Sequence, residues 1–215
     1  MDIFIVGEDE VTRNIIQRLV YYCSENYNIL TSFPARGGRI KSLVQNYNTL
    51  SAENPVVLLT DIDTYDCAPS LINQWFSTVP KNDNFLVRVA IDEAEAWLMA
   101  DREGFADYFK VPIDKIPTSK VLSRFRPSVK EMDFPYKSSL FMMRQIIPFT
   151  SKNDFKISLI PEDGISKGPL YNSSIVPFIG RWDIENAILN STSLERTVNR
   201  LRTFAYIPTL PKTIN

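Results

Sequence analysis

The chain has 215 residues, a formal net charge of −1 and no histidine, which excludes Ser–His–Asp and Cys–His nucleophile systems, histidine general bases and every zinc site built on imidazole. Its two cysteines, Cys23 and Cys67, are too few for a four-cysteine zinc site or a disulfide framework. Acid–base or metal chemistry must therefore rest on Asp, Glu, Lys, Tyr or backbone, which suits hard, oxygen-ligated cations such as Mg²⁺ or Mn²⁺.

A hydrophobic fraction of 44% fills a real core. The near-balanced charge gives no bulk attraction to nucleic acid, so any basic face has to be local. The start, MDIFIVGEDE, lacks a basic region followed by a long apolar run. No stretch reaches the ~18 apolar residues needed to span a bilayer. A cytoplasmic protein with no membrane segment is expected.

In chain order, Asp2–Val6 is a short apolar run stopped by Gly7 and reads as a buried strand. Val11–Cys23 repeats apolar residues at Ile15, Ile16, Leu19, Val20 and Cys23, a helical spacing. Asn28–Phe33 reads as a second strand closed by Pro34, and the segment from Gly37 to Lys41 leads into a helix ending near Tyr47. Pro55–Thr60 is the clearest strand, followed by Asp61-Ile62-Asp63. A helix at Pro69–Phe76, a strand at Phe85–Ala90 and a helix from Glu93 to Ala100 complete a βαβαβαβα order. Strands alternating with helices imply a parallel sheet with crossover connections. Near-continuous apolar strands fit a sheet covered on both faces.

Beyond Asp101 the pattern weakens. Arg102–Phe109 predicts a short helix, and Pro112, Pro117, Pro127 and Pro135 punctuate the stretch after it. Ser138–Ile146 looks helical. Ile175–Phe178, a helix near Asp183–Leu189 and an amphipathic helix at Ser193–Phe204 make up the tail. The expected organisation is an α/β core over residues 1–110, with about four parallel strands flanked by helices. A mostly helical region over 111–215 packs on it, with no repeat, low-complexity tract or flexible linker.

Ligands of open parallel sheets bind beyond the carboxyl ends of the strands. Three acidic clusters fall there: Glu8-Asp9-Glu10 after strand one, Asp61 and Asp63 after strand three, and Asp92, Glu93 and Glu95 after strand four. Residues i and i+2 of a strand end point the same way, so Asp61 and Asp63 can face one site. Glu8 joins them if strands one and three are neighbours. Two carboxylates ~4 Å apart repel by roughly 4 kcal/mol at an effective dielectric of ~20. Three stay ionised together only beside a cation, and Mg²⁺ is the simplest one. Asp9 and Asp92 are equally suited to capping helix N-termini.

A strand ending in glutamate, a helix, and a DxD after the third strand resemble the layout of Toprim domains, which occur in topoisomerases, primases and nucleases associated with OLD-type ATPases. The chain is similar, more narrowly, to the DUF4276-like group of bacterial proteins. The matching stretches are IVGEDEVTRNIIQRL, VVLLTDID followed by CAPSLINQW, and FLVRVAIDEAEAWLMADREGF, with KGPLYN at Lys167–Asn172 a weaker match. The resemblance implies Asp61, Asp63 and Glu8 as ligands of Mg²⁺ (or Mn²⁺), with Glu8 and one of Glu93 or Glu95 acting in phosphodiester chemistry. Toprim glutamates are generally followed by glycine, whereas Gly7 precedes Glu8 here, so Glu8 and Glu10 both remain candidates for the catalytic place. A phospho-receiver domain would need a Ser or Thr after strand four, where Ala90 and Ile91 stand. Haloacid-dehalogenase phosphatases carry their DxD after strand one.

The expected activity is thus a metal-dependent nuclease acting on DNA or RNA, in an anti-phage setting with an ATPase partner that the resemblance alone implies. Homo-oligomerisation is compatible with it. The rival is a non-catalytic effector or recognition subunit, which the lack of a basic stripe favours. Arg39 and Lys41, in a basic glycine-containing loop, and Lys137 and Lys167 are candidate contacts for substrate phosphate. Arg88, inside an apolar strand, is expected to pair with a site carboxylate. Tyr171 and Asn172 can approach the acidic edge, Trp75, Trp97 and Trp182 are expected in the core, and Cys23 and Cys67 as buried thiols.

Overall fold

The computed structural model describes residues 1–35, 39–63, 65, 67–125, 127–163 and 167–205. Strands β1 (Asp2–Gly7), β2 (Asn28–Pro34), β3 (Val56–Asp61) and β4 (Phe85–Ala90) form one parallel sheet in the order β2-β1-β3-β4. Helices α1 (Glu10–Cys23), α2 (Ile40–Leu50) and α3 (Ala68–Trp75) connect them in turn. The result is a Rossmann-like α/β sheet flanked by helices. The chain builds outward from β1 to β2, then crosses back to place β3 on the other side of β1. That reversal opens a crevice between the carboxyl ends of β1 and β3, where open sheets bind ligands.

Strand alternation sorts the side chains into two layers. Ile3, Ile5, Val57, Leu59, Leu86 and Ala90 pack against α1 and the helices that come after β4. Val6, Val56, Leu58, Val87 and Val89 pack against α2 and α3. Asp9 fixes where α1 begins: its Oδ1 accepts hydrogen bonds from Thr12 N and Thr12 Oγ1, both at 2.8 Å. Gly7 is dictated by close approach, because a Cβ there would lie 3.0 Å from the Arg13 backbone nitrogen. β2 departs from the expected buried pattern. It is an edge strand, and most of its residues are exposed.

After β4 come α4 (Ala94–Ala100) and α5 (Arg102–Phe109). Every residue of α4 is buried. Trp97 and Trp182 are core side chains, as expected, and Trp97 Nε1 donates to Ser193 Oγ at 2.8 Å. Burying such a side chain stabilises the fold by roughly 1.5–3 kcal/mol. Cys23 and Cys67 are half-buried, which corrects the expectation of buried thiols.

The C-terminal half corrects the sequence expectation in two places. Strands β5 (Ser119–Leu122) and β6 (Val129–Met132) pair as an antiparallel hairpin inside the proline-punctuated stretch. Four-residue strands carry too little periodicity to be seen in sequence. Their stability comes from Leu122, Phe125 and Val129 joining the α2–α3 layer. The helix expected at Ser138–Ile146 is α6 (Ser138–Phe141), which widens into a π-type turn at Met142–Ile146. The chain continues through α7 (Asn153–Leu159), α8 (Tyr171–Ile179), α9 (Ile184–Ile188) and α10 (Thr192–Arg202), and both α8 and α10 pack on α1. Among the described residues no helix is long and apolar enough to cross a membrane.

Candidate active site

The adjacency of β1 and β3 meets the condition set by the sequence: Gly7 pairs with Leu59, so Glu8 and the end of β3 emerge side by side. Thr60 Oγ1 donates to Glu8 Oε1 at 2.9 Å and fixes that carboxylate. Glu8, Thr60, Asp61, Asp63 and Lys41 line one cleft of about 170 Å³, walled by Ile40, Tyr65, Leu71 and Trp75. The Asp pair meets there, but strand alternation is not the whole reason. β3 ends at Asp61, and Asp63 takes a left-handed turn with φ of 48°. Aspartate tolerates that conformation better than most residues, and its cost is typical of functional sites.

Asp61 is held by the following element. The backbone N–H of Ala94, in the first turn of α4, donates to Asp61 Oδ1 at 2.9 Å. Burial raises the Asp61 carboxyl well above 3.8, and Glu95, Glu8 and Glu93 add to the rise. Burial also raises Glu8, with Asp63 and Asp9 contributing and the Thr60 bond opposing. Four carboxylates from three strand ends therefore share one electrostatic neighbourhood.

The two glutamates of the third cluster are anchored. Glu93 precedes α4 and accepts from Ser139 N at 2.8 Å and Ser138 Oγ at 3.4 Å, with Lys137 Nζ at 3.5 Å. Glu95 accepts from Tyr171 OH at 2.7 Å and Lys167 Nζ at 2.9 Å. Lys167 also reaches Asp9 Oδ2 at 2.8 Å. Burial works against the Lys167 charge, but Glu95 and Asp9 outweigh it and raise the ammonium above its ordinary value. Burial would also raise Asp9, yet Lys167 prevails and lowers it.

These positions bear on several expectations. Lys137 and Lys167, the candidate phosphate contacts, are paired with site carboxylates. Among the described residues no carboxylate forms the ion pair expected for Arg88. Lys41 faces the cleft, whereas Arg39 is exposed just before α2 and is not part of the cleft wall. Arg36, Gly37 and Gly38 lie outside the described residues. Glu10 is exposed and accepts from Asn172 Nδ2 at 2.9 Å, so of the two candidates only Glu8 lines the cleft.

Asp92 is the residue that sequence reasoning undervalued. It is not a helix cap: Glu93 takes that position, and Asp92 sits in the left-handed region with φ of 73°. Burial raises its carboxyl to about 7, the Ser138 N–H opposes, and Glu93 and Glu95 add to the rise. A carboxyl titrating near neutrality is suited to moving a proton. Its signal in sequence was position alone, two residues beyond β4.

The donors suit a hard cation in kind, being carboxylate oxygens that repel one another; among the described ion pairs none involves Asp61, Asp63 or Glu8, although Lys137 lies near enough for its charge to act on all three. As the side chains stand, no three described Asp, Glu or Cys residues gather closely enough to hold a metal. No family model, curated protein or solved structure matches the chain, so the fold and the geometry of this edge carry the functional argument.

Proposed function

We propose that the chain is a Toprim-like, Mg²⁺-dependent (or Mn²⁺-dependent) nuclease that hydrolyses phosphodiester bonds of DNA or RNA at the β1–β3 crevice. The observation that carries this reading is the half-buried Asp61 carboxyl, raised first by desolvation and then by Glu95, Glu8 and Glu93, beside Asp63 in one cleft. Charge accumulated against repulsion calls for a cation or a proton. Asp61, Asp63 and Glu8 would hold the metal, which when bound polarises a phosphate and lowers the pKa of a water. Glu8, raised by burial, is suited to accept a proton from the attacking water. Asp92 offers a second proton carrier near neutrality. Lys41 stands at the cleft for the phosphate, while Lys137 and Lys167 orient Glu93 and Glu95.

The anti-phage setting, the ATPase partner and a homo-oligomeric state rest on the family resemblance alone. One observation favours the rival reading of a non-catalytic module: Asp9, Glu93 and Glu95 already have protein partners. The deciding experiment assays labelled DNA and RNA with Mg²⁺ or Mn²⁺, comparing wild type with Asp61→Asn/Asp63→Asn. Metal-dependent cleavage lost in the double variant supports the nuclease. A wild type inert on every substrate, alone and with a co-expressed ATPase, leaves the module.

A further inference from the structure

Arg88 is the single charged residue of β4, the outermost strand on its side of the sheet. Along α10, Ser193, Arg196, Thr197 and Arg200 recur at i, i+3, i+4 and i+7 and form one stripe. Arg88, Ser193, Arg196 and Thr197 line a cleft of about 120 Å³ where that stripe meets the free edge of β4. The remaining wall is apolar, from Val87, Val89, Ile91 and Val129.

The charged groups that line the cleft are both guanidiniums, Arg88 and Arg196. Arg88 commits Nε to the Val87 carbonyl at 2.8 Å. Among the described residues no carboxylate forms an ion pair with Arg88, Arg196, Arg200 or Lys81. Burial pulls the Arg88 guanidinium down to about 10, and Arg200 pulls the same way. Burial, Arg200 and Arg88 likewise lower Lys81, with Asp83 opposing. Glu131 feels Arg196, but its two oxygens accept from Ser191 Oγ and Ser193 N, both at 2.6 Å. The cleft hydroxyls are engaged as well: Thr197 donates to the Ser193 carbonyl at 2.9 Å, and Ser193 Oγ accepts from Trp97. Arg200 also stacks over Phe204, 5.5 Å from its ring centroid. A largely desolvated guanidinium without an acid is unfavourable unless an anion completes it.

We propose that this edge cleft is an anion site for a phosphate group, with Arg88 and Arg196 in its wall and Arg200 one turn further along the same stripe of α10. Forked guanidinium donors match the oxygens of phosphate, and two or more of them separate it from chloride by geometry. The space admits one phosphate group, not a nucleobase with its sugar. The phosphate belongs either to a small ester or to a nucleic-acid strand crossing the sheet edge. The site lies on the outer edge of β4, apart from the β1–β3 crevice, and stands whether or not that crevice cleaves a substrate.

The test measures thermal stabilisation of the full chain by inorganic phosphate against chloride at matched ionic strength, together with anisotropy of a fluorescein-labelled single-stranded oligonucleotide. Phosphate is expected to stabilise wild type beyond chloride. Arg88→Met and Arg196→Gln/Arg200→Gln should each weaken phosphate binding by about tenfold or more. Lys152→Gln, an exposed cation beside α7, should leave it unchanged. Far-UV circular dichroism checks that Arg88→Met folds; if it does not, the surface pair decides. Parallel loss of oligonucleotide binding assigns the phosphate to nucleic acid, and loss of phosphate binding alone assigns it to a small ester. Phosphate acting no better than chloride on wild type, or the surface pair binding phosphate as wild type does, would overturn the proposal.

Discussion

Replacing Asp61 by asparagine should make the metal-free protein more stable at alkaline pH. Asn keeps an oxygen for the Ala94 N–H, so the bond that positions the residue survives. What disappears is a charge opposed by burial and by Glu95, Glu8 and Glu93. Two carboxylates ~6 Å apart at an effective dielectric of ~20 repel by roughly 3 kcal/mol, and Lys137 and Lys167 offset part of this, which leaves a net gain of about 1–3 kcal/mol. For a chain of this size that corresponds to a rise in Tm of about 3–10 °C. An acid raised in the folded state favours folding while protonated, so wild type is fully stable below the unfolded value of 3.8 and loses stability as pH climbs through the raised value. Asn imitates the protonated form. The gap between variant and wild type should therefore be near zero at low pH and widen towards alkaline pH, in urea denaturation with chelator present. Mg²⁺ should then stabilise wild type, by about 2.7 kcal/mol at a hundredfold excess over Kd, and leave Asp61→Asn unmoved. A variant less stable than wild type at alkaline pH without metal, or a gap indifferent to pH, would refute the reasoning and make Asp61 an ordinary cap for α4.

Asp92 extends the same logic. Displacement from 3.8 to about 7 makes its ionisation unfavourable to folding by up to roughly 4 kcal/mol, lost between those pH values, so Asp92→Asn should flatten the stability–pH profile across that window. Lys167→Met should leave the buried Glu95 with Tyr171 as its one remaining hydrogen-bond partner among the described residues and reduce stability by about 1–3 kcal/mol, read by chemical denaturation; an unchanged midpoint would mean the ion pair contributes nothing. Gly168→Ala would drive a Cβ into the backbone of Leu159 and Ser158, shifting the segment that carries Lys167. A loss of about 1–3 kcal/mol is expected, and a neutral result would show that the segment yields freely.

Much of the first half was legible in the residues. Asp2–Val6, Pro55–Thr60 and Phe85–Ala90 are apolar because their strands are covered on both faces, and α1 advertised itself by the spacing of Ile15, Ile16, Leu19 and Val20. β5 and β6 were hidden because two four-residue strands are stable only through Leu122, Phe125 and Val129 packing on a layer formed elsewhere. The partners of Lys137 and Lys167 were equally hidden. Glu95 lies 72 positions from Lys167, and no local pattern announces a contact that the packing of α8 on α1 creates.

The amino-acid order alone determined that the chain alternates strands and helices, and that acids come after strands one, three and four, since periodicity and Gly, Pro and Asp placement act over a few residues. Only the tertiary structure decided that β1 and β3 are neighbours. It decided also that Asp63 and Asp92 turn left-handed, that Glu93 and Glu95 are tied down, and that Arg88 reaches the Val87 carbonyl at the sheet edge. Those outcomes depend on groups brought together from distant parts of the chain. Burial and charge act through space, and distance in space is fixed by the fold rather than by spacing along the sequence.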